Sequence, residues 1–336
     1  MTIPKYSMMI IEKIHNKYIY WKHKLEERKN LNAFCKGHQV KLYNWSRPFP
    51  QDLWLINFIE QRGLLKDKPK RKIGLYSIFA PYWLHHFDGC NTRIFVEREN
   101  LHKPSMQRWL HRFLDDDSIQ LSLGFDRLNH PHYMRLPFWV MWSVFSPTAT
   151  YDEIKKQVQL MNSLENHSYK DRKFCTFVCS HDDIGRKKMH DQLSAIGQVD
   201  CPGKLFHNND DLKEMYNDDK LELLKHYRFN LTPENSNYKN YVTEKLFEAI
   251  SSGTVPIYHG SDNQPEFDVL NQDAIIFVEM GKENTKAIKL ISDLNANEKK
   301  YMDFACQPRF VQGAEDVIWG YYVDLEKKLK EIIADF

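Results

Sequence analysis

The chain has 336 residues, of which 42% are apolar and 27% charged, so it can bury two ordinary cores and is neither disordered nor fibrous. Its 47 Lys and Arg residues nearly balance 45 Asp and Glu residues, and this argues against a dedicated nucleic-acid-binding protein. No apolar run is long enough for a transmembrane helix, and the N-terminus lacks a signal-peptide pattern. We therefore expect a cytoplasmic enzyme with free cysteines.

The first 30 residues are basic, with seven Lys or Arg against three Glu, and their apolar residues recur at roughly helical spacing. This pattern predicts a basic helix. Two interpretations stay open: the helix packs on its own domain, or it makes a peripheral contact with the inner face of a membrane. Residues 1–70 otherwise form an unassigned extension of the N-terminal domain.

Downstream of a charged connector at residues 66–72, the pattern alternates between apolar runs and helix-like segments. Three runs read as strands: Ile73–Ala80, Thr92–Val96 and Ile119–Leu123. A helix is predicted at Met106–Leu114, between the second and third runs. We expect an α/β domain within residues 1–150.

The composition turns polar at residues 146–172, and we place the connection between two domains there. The alternation then restarts within residues 151–336. Strands are predicted at Phe174–Cys179, Phe229–Thr232, Thr254–Tyr258 and Ala274–Val278, with helices at Arg186–Ile196, Leu221–Tyr227 and Thr243–Ser251. The fold class predicted is α/β, with two Rossmann-like domains facing a cleft. Neither half contains G-x-G-x-x-G or a Walker loop, which argues against dinucleotide cofactors and P-loop chemistry.

The stretch from Arg228 to Gly260 reads as strand, polar loop, helix and strand. Free N–H groups and a partial positive charge make a helix N-terminus suitable for phosphate. Lys245 adds a full positive charge in the first turn, and the carboxylate of Glu244 can hold the hydroxyls of a ribose. These features describe a nucleoside diphosphate site. The alternative is that Thr243 and Glu244 only cap the helix.

Several motifs in this stretch resemble the family 10 glycosyltransferases, the α-1,3/1,4-fucosyltransferases, in their bacterial form. They are Glu234-Asn235, Tyr241-Val242-Thr243-Glu244-Lys245-Leu246 and Gly253-Thr254-Val255-Pro256-Ile257. Upstream, residues 174–180 followed by Arg186 resemble the family's strand and phosphate-binding arginine. Gly124-Phe125-Asp126 and Arg135-Leu136-Pro137 resemble a further family segment. The likeness covers about residues 72–280.

The resemblance implies a GT-B type fold in which the C-terminal domain holds GDP-fucose and the N-terminal domain holds the acceptor sugar. By position it assigns Glu244 to the ribose and Lys245 and Arg186 to the diphosphate. It places Asn235, Tyr241 and Glu234 in the donor site as well, and Asp126 and Arg135 on the acceptor side.

The resemblance also assigns the catalytic base to a Glu-Asn pair after a strand of the N-terminal domain. In this chain that pair is Glu99-Asn100. The family usually has Gly before this Glu, but this chain has Arg98, so Glu97 remains the alternative base. A carboxylate in this place would take the proton of the acceptor hydroxyl.

These residues and the resemblance together predict an inverting α-1,3-fucosyltransferase. Its donor would be GDP-fucose, and its acceptor an N-acetylglucosamine-containing glycan such as N-acetyllactosamine or a lipopolysaccharide O-chain. An α-1,4 linkage, another GDP-sugar or acceptor, and a non-catalytic nucleotide-sugar-binding protein remain alternatives. Asp115-Asp116-Asp117 contains D-x-D, but it reads as a solvated helix end, so we expect no metal site and no cofactor.

Overall fold

The computed structural model describes residues 5–45, 48–79, 88–106, 109, 114–142, 144–163, 167–182 and 184–334, without the side chains of 5–16. Over these residues the chain forms two five-stranded parallel sheets. The first contains β1 (Val40–Tyr43), β2 (Ile73–Tyr76), β3 (Thr92–Val96), β4 (Leu121–Gly124) and β5 (Tyr133–Arg135). These strands lie side by side in chain order, so the first sheet is not doubly wound.

The second sheet has the doubly wound arrangement. It contains β6 (Lys173–Thr176), β7 (Val199–Asp200), β8 (Tyr227–Pro233), β9 (Val255–His259) and β10 (Ile276–Phe277). Their order is β10-β9-β8-β6-β7, so the chain leaves β6 on one side and returns to its other side as β8. The crevice between β6 and β8 is therefore a topological switch point, the usual ligand position in such sheets.

Helices connect and flank the strands. Among the described residues they are α1 (Lys5–Phe34), α2 (Leu53–Gln61), α3 (Phe138–Trp142), α4 (Tyr151–Met161), α5 (Arg186–Ser194), α6 (Asp211–Glu214), α7 (Lys220–Leu224), α8 (Glu244–Ser251), α9 (Thr285–Ala296), α10 (Glu298–Ala305) and α11 (Ala314–Ala334). None of the described helices is long and apolar enough to cross a membrane.

The largest core joins the two halves. Helix α11, at the end of the chain, packs its buried face against Trp54 and Phe58 of α2 beside the first sheet. Trp139 of α3 stacks on Phe247 of α8 with 4.0 Å between ring centroids. The first sheet thus shares its apolar core with elements from the second half of the chain.

The predicted fold class is confirmed, with differences in several elements. Strand β3 has the predicted bounds, whereas β2 ends at Tyr76, and Ala80 lies outside the described residues. Most of the helix predicted at Met106–Leu114 also lies outside them. The polar stretch read as a connection contains α4, which Thr150 begins through a capping box with Glu153. Only three residues of α4 are buried, so the average composition of the stretch is polar and does not reveal the helix.

Candidate functional site

A cavity of about 480 Å³ lies beyond the carboxyl ends of β6 and β8, at the switch point of the second sheet. That volume suits a ligand of nucleotide size. Residues after the two strands and the first residues of α5, α7 and α8 line it, and Phe49 of the first half closes one side. Of the predicted donor-site residues, Arg186, Asn235, Glu244 and Lys245 line this cavity.

Helix α8 begins at the cavity, and Thr243, the residue before it, does not cap its first turn. The Thr243 side chain makes no cap hydrogen bond. Instead, its hydroxyl donates to Glu234 Oε2 at 2.6 Å and its backbone N–H donates to Glu234 Oε1 at 2.8 Å. The interpretation of Thr243 as a simple helix cap is therefore wrong. Thr243 thus does not occupy the N–H groups at the start of α8, which are the groups that bind anions at helix N-termini.

Lys245 lies among acidic groups at this helix start. Its ammonium donates to Thr243 Oγ1 at 2.9 Å and lies 3.4 Å from Glu244 Oε1 and 3.6 Å from Glu234 Oε2. Burial lowers the pKa of Lys245, but the two carboxylates outweigh it and the net shift is upward. Burial raises the pKa of Glu244, but Lys245 and Lys220 lower it by a larger amount. The pKa of Glu244 therefore lies below its usual value. Both groups are charged at neutral pH.

Arg186 begins α5 after Gly185, whose left-handed φ of +77° and close approach to Gly281 leave no room for a larger residue. The buried guanidinium donates to the carbonyl of His181 at 2.6 Å and to Asn235 Oδ1 at 3.2 Å. Its Nε is buried, with no hydrogen-bond partner among the described residues. Arg186 therefore places a positive charge at the cavity wall, which suits an anionic ligand.

Two other predicted donor residues do not line the cavity. The carboxylate of Glu234 is fully enclosed behind the start of α8, where it receives Thr243. Burial raises its pKa, and Lys245 only partly offsets this. Tyr241 is buried and packs edge-on against Phe125 at 5.1 Å between centroids. Residues 234–243 form the loop between β8 and α8, which we call the donor loop. Glu234 and Tyr241 support this loop from inside the protein, and neither lines the cavity.

Glu97 and Glu99, the two candidate bases, have different surroundings. Glu97 is buried beneath Gly124, where a Cβ would clash with its carboxylate. Burial raises the pKa of Glu97 well above its usual value, and nearby Asp126 raises it further. Glu99 is half-buried in the loop after β3. Burial raises its pKa too, but Lys103 and Lys245 oppose the shift. Of the two carboxyls, Glu97 is the more deeply buried and has the larger upward shift in pKa.

Arg98, which stands where the family usually has Gly, is enclosed by residues of the first half. Its guanidinium pairs with Asp52 at 3.1 Å and lies over the rings of Trp45 and Trp142. The side chain is 8% exposed. The departure from the family pattern is thus accommodated inside the first half, and it anchors the loop that carries Glu99.

The predicted acceptor residues Asp126 and Arg135 both contact other protein groups. Asp126 Oδ2 accepts from His102 Nε2 at 2.7 Å. Arg135 donates to Glu266 at 2.7 Å, to the backbone carbonyl of Phe125 at 3.0 Å and to Tyr321. The Arg135 guanidinium therefore bridges the two halves, and its geometry supports a structural role better than acceptor contact.

The described residues contain no group of three His, Cys, Asp or Glu side chains placed to hold a metal ion. Asp116 instead receives the backbone N–H and hydroxyl of Ser118 at 2.8 and 2.5 Å, as in a polar turn. The positive charge at the cavity comes from Arg186, Lys245 and Lys220.

Lys220 is a cavity residue that the sequence interpretation missed. It begins α7 and pairs with Glu248 at 2.6 Å. A positive charge at a helix N-terminus interacts unfavourably with the helix dipole. The position of Lys220 therefore indicated that its charge has a role other than stabilising the helix. No comparable signal existed for Phe49, which reaches the cavity from the first half only because the two halves fold together.

A cationic cavity at the switch point of one α/β domain, closed by a second α/β domain, is the arrangement of a GT-B type glycosyltransferase. Residues 151–309 match the family model "Glycosyltransferase family 10 (fucosyltransferase) C-term". This match, which covers slightly less than half of the chain, identifies residues 151–309 as a family 10 C-terminal domain.

Related proteins are similar over part of the chain. The alpha-(1,3)-fucosyltransferase FucT of Helicobacter pylori is 28% identical over 208 residues, which are 54% of this chain and 42% of that protein. The GDP-fucose protein O-fucosyltransferase 3 of Danio rerio is 32% identical over 113 residues, or 32% of this chain and 24% of the relative. The chain thus spans less than half the length of these two curated relatives.

Solved structures share the fold over most of the chain. A crystal structure of an alpha1,3-fucosyltransferase covers 88% of this chain and 91% of its own, with a TM-score of 0.54 and 19% identity. A structure of an alpha1,3-fucosyltransferase with GDP covers 87% and 89%, with a TM-score of 0.54 and 21% identity. The likeness confirms the predicted two-domain fold.

Proposed function

We propose that the protein transfers fucose from GDP-fucose to a hydroxyl of an N-acetylglucosamine-containing glycan. The observation that carries the proposal is the cavity at the switch point, with Arg186 and Lys245 on its wall. Glu244, beside Lys245, would accept hydrogen bonds from the ribose hydroxyls of the nucleotide. The family match supports fucose as the sugar, and the curated relatives support GDP-fucose as the donor.

The chemistry would depend on charge at the leaving group. As the bond between the anomeric carbon and the β-phosphate oxygen breaks, negative charge grows on that oxygen. Cations held in place before the reaction stabilise it without reorganisation, and removing one such group typically costs about 3–4 kcal/mol. Arg186 and Lys245 would supply this stabilisation without a metal ion.

Glu99 would act as the base. The acceptor hydroxyl attacks the anomeric carbon from the face opposite GDP, its proton passes to the carboxylate, and the β-linked donor becomes an α-linked product with inversion. The charges of Lys245 and Glu244 act on Glu99, which supports its position beside the diphosphate end of the cavity. We propose the α-1,3 linkage and a surface glycan such as a lipopolysaccharide O-chain as the acceptor class.

The test is GDP release from GDP-fucose, with and without N-acetyllactosamine, by the intact protein. Acceptor-dependent release with a fucosylated product would support the proposal, and NMR of the product would give its linkage and anomeric configuration. Release from GDP-mannose and not from GDP-fucose would mean another donor. Tight GDP-fucose binding with no release across a panel of glycan acceptors would indicate a non-catalytic binding protein.

A further inference from the structure

The loop that carries Glu99 is fastened to the donor loop of the second half. Asn100, next to Glu99, donates from Nδ2 to Ser236 Oγ at 2.8 Å. Two residues further, the ring of His102 stacks on the ring of Tyr238, with 3.9 Å between centroids and an interplanar angle of 11°. We call these four residues the loop bridge: Asn100, His102, Ser236 and Tyr238.

The segment Gly124-Phe125-Asp126 supports the loop bridge from the first half. Asp126 Oδ2 holds His102 Nε2 at 2.7 Å, which orients the ring that stacks on Tyr238. Phe125 packs edge-on against Tyr241 at 5.1 Å and lies 6.3 Å from Tyr238. Asp126 therefore acts on the bridge through His102.

The loop bridge adjoins the donor cavity, because its Ser236 follows the cavity residue Asn235 in the chain. Arg186 Nη2 donates to Asn235 Oδ1 at 3.2 Å, and the neighbouring residue in the chain is Ser236, which receives Asn100. Both Arg186 and Asn235 line the cavity, whereas Ser236 and Tyr238 do not. A shift of Asn235 on donor binding would therefore reach the residue adjacent to Glu99.

Glu99 lies between two anchors. On its N-terminal side, Arg98 is held inside the first half by Asp52 at 3.1 Å. On its C-terminal side, the loop bridge ties the loop to the opposite half of the molecule. With both neighbours fixed, the backbone at Glu99 has little freedom to move relative to the donor cavity.

The two halves do not need the loop bridge to stay together. Arg135 and Glu266 pair across the halves at 2.7 Å, and Arg127 and Asp268 pair at 2.8 Å. Trp139 and Phe247 stack in the shared core. The bridge differs from these contacts because both of its ends lie in loops that carry site residues.

We propose that His102, Asn100, Ser236 and Tyr238 are positioning residues that hold Glu99 at the distance from the donor that proton transfer requires, and that link donor occupancy to the order of the Glu99 loop. This inference rests on the proposed function, in which Glu99 is the base. A misplacement of about 1 Å can cost on the order of 10²-fold in rate, so a contact remote from the chemistry can be important.

The first test compares two variants at position 238, one that removes the aromatic ring and one that keeps it. Tyr238→Ala removes the stack on His102 and should lower kcat at least tenfold, with the Kd for GDP unchanged because the ring does not line the cavity. Tyr238→Phe keeps the ring and should retain most of kcat. Asp268→Ala is the matched control, since it removes a contact between the halves that does not involve the Glu99 loop. Equal kcat values for Tyr238→Ala and the control would overturn the proposal.

A double-mutant cycle tests whether the bridge acts through Glu99. In a Glu99→Ala chain, the further change Tyr238→Ala should leave the residual transfer rate unaltered, since there is no carboxylate left to position. The same fold-loss in both backgrounds would show that Tyr238 acts independently of Glu99, and the inference would then be wrong.

Hydrogen exchange separates this inference from the proposed function. GDP should slow amide exchange in residues 97–102 of the unmodified protein and leave it unchanged in Tyr238→Ala at saturating GDP. GDP-dependent protection without any fucose transfer would mean that the reaction is wrong but the link between the loops exists. Fucose transfer with no effect of GDP on residues 97–102 would leave the function in place and refute the link.

Discussion

The two sheets differ in how they build their part of the cleft. The second sheet reverses its strand order between β6 and β8 and so creates a crevice by itself. The first sheet runs in chain order over its described strands, and its contribution comes from loops that the other half holds in place. Apart from Phe49, the proposed donor side is thus built by one domain, whereas the proposed base side depends on contacts between the two.

The largest effect is expected from a change at Glu99, the proposed base, which lies on the side of the cleft that depends on both halves. Glu99→Gln should lower kcat by about 10²- to 10⁴-fold while the affinity for GDP stays within about threefold, because the change removes only the proton acceptor. Steady-state transfer and GDP titration measure the two quantities. Glu97→Gln is the matched control and should have little effect, since burial raises the pKa of Glu97 well above its usual value and so favours its protonated form. The opposite result for the two variants would make Glu97 the base.

The donor side should respond in both binding and turnover. Lys245→Met should weaken GDP binding and lower turnover by roughly 10²-fold, because a fixed cation is lost at the diphosphate. The exposed Lys289, on α9, gives the control variant Lys289→Met. Thermal unfolding must accompany the assay, since the change also leaves Glu234 and Glu244 without their cation. Normal GDP affinity in a folded Lys245→Met protein would exclude the diphosphate role.

A smaller effect is expected from the charge of Lys103 on the base. Burial raises the pKa of Glu99 and Lys103 lowers it, so Lys103→Met should raise that pKa further. The base must be deprotonated, so activity rises as the pH increases through this pKa, and the acid limb of the kcat profile should move to higher pH. The plateau at higher pH should change little. An unmoved acid limb would show that the limb belongs to another group.

The smallest effect is expected from metal removal. EDTA should change turnover by less than about twofold, because Arg186 and Lys245 would already supply the positive charge that a metal gives in other transferases. The assay should use metal-free buffers, with Mn²⁺ and Mg²⁺ added back. A complete loss that Mn²⁺ restores would contradict the cation role of these two residues and direct attention to Asp115–Asp117.

The predictable part of the site is the part that lies close together in sequence. Residues 228–260 read as strand, loop, helix and strand, and the structure forms β8, α8 and β9 there. Lys245 and Glu244 are on the cavity wall, as local periodicity and helix electrostatics predicted. Glu234 differs because its carboxylate turns to Thr243, and no sequence rule sets the direction of a side chain in a polar loop.

The sequence by itself determined the fold class and the second sheet with the helix that begins at the cavity, because local propensity and periodicity act over a few residues. The choice of Glu97 and Glu99 as candidate bases came from the resemblance of the sequence to the family. The tertiary structure alone decided that Arg98 faces Asp52, that Arg135 pairs with Glu266, and that His102 meets Tyr238. Those contacts join residues far apart in the chain, and they depend on how two separately formed sheets pack around one shared core.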